Sequence, residues 1–383
     1  MITVTRARSL LGLASIILAA GPAGLGCGPR TGDDAPGGAP AVTSDAIEGC
    51  EPGDGAPDDL RCTGLYADVA AKTLSPRARA FAPAVILWSD GAEKSRWVDL
   101  PDGAAIDTTS MDEWRYPVGT KVWKEFKVNG RRVETRFMQK VRADRWVQAA
   151  YVWSADEARA SRSEGSQVDL GGGATYLVPK SSECNDCHKG KKDKLLGFEA
   201  ISLAQPGASG LTLGALAAEG RLSAPPAQTT IPVPNDATGR SAAALAWLHV
   251  NCGTSCHTGT STATAYGTGL RLRIGWDELS GKPPGEWEAV RSTVGVAIKS
   301  PKWAGETRIT AGDPGRSTLL RLLGQRGDEQ MPPIGTRVID EAGKRAVGAW
   351  ITALRSPAPP VVVAEPPPPA ADPPPAGPPD AGP

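Results

Sequence analysis

The sequence predicts an α+β chain of several domains. An antiparallel β domain, sandwich- or jelly-roll-like, comes first and an α-helical domain follows. Three observations point there. Between residues 81 and 179, short runs alternate apolar with charged residues, the period of a strand. Asn129-Gly130 separates two such runs, and a two-residue type I′ hairpin needs positive φ at both positions, which Asn and Gly tolerate. Beyond residue 240 the period becomes helical, with Val347, Trp350, Ile351 and Leu354 at i, i+3, i+4 and i+7.

At 383 residues the chain is long enough for two or three domains. Lys plus Arg and Asp plus Glu balance at 42 each, which gives no reason to expect nucleic acid or an anionic membrane surface as partner. The eleven tryptophans all fall between Trp88 and Trp350, which marks the folded part.

In chain order, residues 1–26 read as an export signal, with Arg6 and Arg8 before an apolar run over 10–20 too short to span a bilayer. Gly26-Cys27 resembles the bacterial lipoprotein signal, which implies a lipidated Cys27, a membrane anchor and a periplasmic or cell-envelope location. Each buried lipid CH₂ adds about 0.8 kcal/mol to such an anchor. Plain secretion is the alternative. Residues 27–62 read as a disordered tether, poor in large apolar residues. Cys50 and Cys62 are expected to pair as a disulfide, as in other exported chains.

Residues 63–180 form the expected β domain, with strand-like runs at 84–88, 96–100, 121–128, 132–137 and 145–153. Asp90-Gly91 and Asp102-Gly103 are further turn candidates. Six tryptophans (88, 97, 114, 123, 146 and 153) lie here, as a Trp-rich core or as an aromatic ligand-binding face. Residues 181–240, which carry Cys184-Asn-Asp-Cys187-His188, are the expected first haem-binding segment. Residues 241–355 hold a helix over 241–251 capped by Ser241, another after Ser317, and a closing helix over 340–354. Residues 356–383 are a Pro-rich disordered tail.

The chemistry sits at the junction. Cys184-Asn-Asp-Cys187-His188 has the spacing of a c-type haem attachment sequence, in which two thiols anchor the porphyrin edge and the next imidazole reaches the iron. A thioredoxin-like pair or half a zinc site would use the same thiols. Cys252-Gly-Thr-Ser-Cys256-His257 is a second copy with three residues, not two, between its cysteines. Gly253 could absorb the extra residue through a strained backbone angle. A Cys252–Cys256 disulfide and a single thioether are the other outcomes. The first site has no obvious distal ligand: His249, Met111, Met138 and the lysines at 189, 191, 192 and 194 are candidates. That lysine run is either a basic docking patch for an acidic redox partner or a solvated loop.

Residues 241–354 resemble a class I cytochrome c domain. The residues that carry the likeness are the helix entering Asn251-Cys252, the Cys256-His257 pair, Gly312-Asp-Pro-Gly-Arg-Ser, Met331-Pro-Pro and Trp350-Ile351. The chain from Cys62 also resembles secreted haem c proteins of Gram-negative bacteria, in which a Trp-rich β domain precedes Cys-x-x-Cys-His and a Leu-Gly-Phe-like segment, here Leu196-Gly-Phe198. The resemblance implies two haem c groups and makes Met331 the distal ligand of the second, facing His257. It further implies electron transfer to a redox partner protein. A peroxidase-like haem enzyme with an open first haem, and a non-haem scaffold with zinc or disulfides at the Cys pairs, are the competing expectations.

Overall fold

A seven-stranded antiparallel sheet is the largest element of the computed structural model, which describes residue 50 and residues 55–354. The expected export signal, Cys27, most of the tether and the Pro-rich tail lie outside the described residues. Strands β1 (Tyr66–Asp68) and β2 (Thr73–Leu74) make a small hairpin. A meander follows through β3 (Arg79–Ala82), β4 (Glu93–Asp99), β5 (Lys121–Val128), β6 (Arg131–Arg142), β7 (Arg145–Trp153) and β8 (Ala160–Ser163). A second hairpin joins β9 (Ser166–Gly171) to β10 (Ala174–Val178), and β11 (Ser209–Gly210) returns to the edge beside β3. The β5–β6 turn is as expected: Asn129 and Gly130 have φ of 52° and 76°.

The α+β class therefore holds, but the β part is not two facing sheets of similar size. Other elements cover the large sheet. On one face Trp97, Trp123, Phe137 and Ala149 form a cross-strand row. Leu60, Leu65 and Tyr66 seal that row. On the other face Val98 and Met138 pack with Phe198 and with Leu203, Leu213 and Leu216. The last three sit on short helices that follow α1 (Cys184–His188), namely α2 (Ala200–Ala204) and α3 (Leu213–Ala218). Each large apolar side chain fully buried here contributes roughly 1.5–3 kcal/mol. Trp97, Trp114, Trp123 and Trp153 are all buried, as a Trp-rich core requires.

The end of the expected tether is folded instead. Leu60–Thr63 is a 3₁₀ turn capped by Asp59, Leu60 is fully buried, and Tyr151 Oη donates to the Pro57 carbonyl at 2.7 Å. Leu60 and Ala56 pack there on the sheet's Trp-rich cluster. The Cys50–Cys62 disulfide ties this stretch down, with Cα atoms 5.4 Å apart. A loop of that size is worth roughly 3 kcal/mol in the chain-entropy picture.

The helical part comprises α4 (Ser241–Leu248), α5 (Trp276–Gly281), α6 (Glu288–Arg291), α7 (Thr318–Leu323) and α8 (Glu341–Ala353). Helices α4 and α8 pack closely, because Gly343 has no side chain. A Cβ there would lie 2.2 Å from the Trp247 ring. Trp247 Nε1 donates to Asp340 Oδ2 at 2.8 Å, while Asp340 Oδ1 caps α8 at the Gly343 amide. Val347, Trp350 and Ile351 face the core with Leu245, Leu248 and Leu323, as the helical period requires. Ser241 is not the cap of α4. It is the first helical residue, and Asn235 Oδ1 accepts from the Ala242 amide at 2.9 Å in its place. Among the described residues no helix is long and apolar enough to cross a membrane.

Candidate functional site

Both Cys/His motifs open into one cavity of about 570 Å³, within the range of cofactor pockets. Cys184, Cys187, His188, Cys252, Cys256, His257 and Met331 all line it. The two motif segments touch. A Cβ on Gly190 would fall 1.7 Å from the Ser255 carbonyl oxygen, so only glycine permits this approach. Thr264 Oγ1 donates to the Asp186 carbonyl (2.9 Å), Thr262 Oγ1 to that of Lys189 (2.6 Å) and Thr258 Oγ1 to that of Gly190 (3.3 Å). The loop after the second motif thus satisfies carbonyls in and after the first motif's helix, which α1 leaves open at its C-terminal end.

The first motif forms α1 itself. His188 Nδ1 lies 2.6 Å from the Lys194 carbonyl, so Nδ1 carries the proton and Nε2 keeps a bare lone pair. Burial pushes the His188 imidazolium down to about 4, against the opposing pull of that hydrogen bond. Burial likewise pushes His257 down to about 4. Both rings are neutral at pH 7, the state that can bind a metal. His257 Nδ1 is buried with no well-aligned hydrogen bond among the described residues, although the Leu270 backbone is near enough to oppose the fall. All four motif cysteines carry free thiols, so neither motif is closed by a disulfide. Burial raises the thiols of Cys187 to about 11 and of Cys252 to about 12.

The second motif takes its extra residue differently from the sequence expectation. α4 runs into a π-helical turn, His249–Gly253, in which the Thr254 amide reaches back to the His249 carbonyl at 2.8 Å. The His257 amide does the same to Cys252 at 2.9 Å. A π turn holds one residue more than an α turn, which accommodates a third residue between the cysteines. Gly253 does not adopt a left-handed angle. Its role is space: a Cβ would sit 2.4 Å from the Leu272 backbone.

Met331 is half-buried on the cavity wall, and its loop is pinned. Gln330 Nε2 donates to the carbonyls of Pro332 (2.8 Å) and Thr336 (3.0 Å). Of the expected distal candidates for the first motif, only Met138 reaches the cavity. His249 is engaged elsewhere: Nδ1 accepts from the Ile274 amide at 3.0 Å, and Nε2 faces Glu199 at 3.6 Å.

The lysine run is not one surface patch. Lys191 turns inward and donates to the Asp112 carbonyl at 2.6 Å. Asp193 is buried beside it and receives three donors from the sheet side. Lys192 alone of the four is fully exposed.

The sequence reading missed Arg96, Lys124 and Arg136, which line the cavity from neighbouring strands. The signal was present: each shares its strand face with apolar residues, Val98, Val122 and Met138. Among the described residues no group of three or more His, Cys, Asp or Glu side chains converges as a metal-ion cage, the arrangement a structural zinc needs. No protein-family model, curated protein or solved structure matches this chain.

Proposed function

We propose that this cavity belongs to a haem-binding protein of the c type. The particular reading is an exported c-type cytochrome that transfers electrons through one or two covalent haems. One observation carries it: two Cys/Cys/His motifs, each with free thiols and a neutral imidazole, face the same cavity. The residues present fit the group. Cys184 and Cys187 would take the thioether bonds at the first site, with His188 Nε2 as proximal ligand. Cys252, Cys256 and His257 would do so at the second, with Met331 distal. In this reading α4, α7, α8 and the Met331 loop are a cytochrome c-like domain. Bound haem would supply the redox centre. The chain's own work is to hold the ligands, exclude water and present a docking surface to a redox partner protein.

Expression with haem c maturation factors tests this, followed by a haem-stained denaturing gel and intact mass. One or two haem masses are expected. Stain is to vanish when Cys184, Cys187, Cys252 and Cys256 are all Ala, and its persistence there would defeat the proposal, as would an unstained wild type. Met331→Ala is expected to remove the weak sulfur-to-iron band of the ferric spectrum and to lower one midpoint potential only, since thioether ligation raises potential.

The anchor belongs to the same reading, with Cys27 as the lipidated residue. Cys27→Ser is expected to shift the protein from the membrane to the soluble fraction. If wild type and variant are both soluble, plain secretion replaces the anchor. A haem enzyme open at the first site is the second reading, favoured because only Met138 of the expected distal candidates lines the cavity. A high-spin ferric spectrum with substrate turnover would select it.

A further inference from the structure

The cavity wall is one-signed. Arg96, Lys124, Arg136, Lys299 and Arg308 line it, and among the described residues no carboxylate does. Three of these cations stand in a single cross-strand row, Arg96 opposite Lys124 and Lys124 opposite Arg136. Arg136 is paired with Glu134 at 2.7 Å, and Tyr176 Oη holds that carboxylate from the other side at 2.7 Å. Among the described residues Arg96 makes no ion pair, and Lys124 feels only the attraction of Glu134, the carboxylate that Arg136 already holds. Arg96 is only 7 % exposed, and burial lowers its guanidinium to about 10. Burial also lowers the Lys124 amine well below the ordinary lysine value, and repulsion from Arg96, Arg136 and Lys94 adds to it against the smaller pull of Glu134. The Lys124 ammonium lies over the face of the Phe126 ring, 4.9 Å from the centroid. Unpaired buried charge is costly, and a protein retains it where a ligand brings the opposite sign.

We propose that Arg96, Lys124 and Arg136 form an oxyanion-binding site inside the cavity, facing the first Cys pair. All three side chains line the same cavity as Cys184 and Cys187. The chemistry recognised is that of negatively charged oxygens. The free Arg96 guanidinium fork suits two oxygens of a carboxylate or an inorganic oxyanion, Lys124 adds a point charge beside it, and Arg136 closes the row with its own fork held by Glu134. Two sources supply such oxygens: the carboxylate arms of a haem held in the cavity, or a free small oxyanion. The site stands on the cavity wall and does not rest on the haem reading.

The test uses the full chain made without haem maturation factors and titrated calorimetrically with inorganic phosphate at constant ionic strength. The wild type is expected to bind saturably. Arg96→Gln and Lys124→Gln are each expected to weaken binding at least tenfold. Both variants are expected to unfold, without phosphate, at or above the wild-type temperature, because an unpaired buried charge has gone. A merely structural arginine would instead lower that temperature with or without phosphate. No saturable binding by the wild type, or unchanged affinity in both variants, overturns the site. The haem-loaded chain separates the sources. Loss of phosphate binding on loading assigns the row to the haem carboxylates, and retained binding assigns it to a free oxyanion.

Discussion

Asp193→Ala is expected to cost about 3–5 kcal/mol of unfolding free energy, the range for breaking a buried ion pair from one side. Asp193 is 7 % exposed and Lys140, on β6, is 4 % exposed. Oδ2 accepts from Lys140 Nζ at 2.6 Å and from the Tyr116 amide at 2.6 Å, while Oδ1 accepts from Trp146 Nε1 at 2.7 Å. Truncation strands a buried ammonium and two buried N–H groups together. The loss falls on the join between the first motif's segment and the sheet, so the cavity loosens with it. Denaturant unfolding measures the cost. Removing both charges with Asp193→Leu and Lys140→Met is expected to recover most of it, because the pair's worth is then no longer counted against an orphan. A single variant within 1 kcal/mol of wild type would show that water already reaches Lys140, contrary to its burial.

Gly190→Ala is the second large effect, at the upper end of the roughly 1–3 kcal/mol typical of overpacking or beyond it. The new methyl would meet the Ser255 carbonyl oxygen at 1.7 Å, a Cβ against backbone. No rotamer relieves that contact, so the two motif segments must separate. The Thr258 bond to the Gly190 carbonyl breaks with them. Reactivity of all four motif thiols toward an alkylating reagent is expected to rise, with a lower unfolding temperature. Unchanged thiol reactivity in a stable Gly190→Ala protein would mean the segments are not pressed together.

Local pattern made much of this legible. The period of two placed β5, β6 and β7, because apolar residues alternate there with charged ones. Asn129-Gly130 marked its turn, since few residue pairs accept positive φ twice. The closing helix was readable from Val347, Trp350 and Ile351, which recur on one side. Ser241 misled because a capping residue is identified by where the chain enters the helix, and Asn235 approaches from six residues upstream. The end of the expected tether is folded because composition averages over residues, whereas Leu60, the disulfide and the Tyr151 hydrogen bond act at single positions.

By itself the sequence determined the reactive inventory: two thiol pairs, each with its own imidazole, a methionine beside prolines, and a disulfide pair apart from them. These are local spacings, and spacing along the chain is what a sequence states directly. Only the tertiary structure decided that residues 68 apart, Gly190 and Thr258, bring both motifs to one wall. It also decided that Lys191 and Asp193 turn inward while Arg96, Lys124 and Arg136 face a cavity that no carboxylate among the described residues lines. The reason is physical. Alternation divides a strand into two faces but does not say which is wet. Here both faces of the sheet are covered, so charges that the pattern would assign to water become the lining of a site.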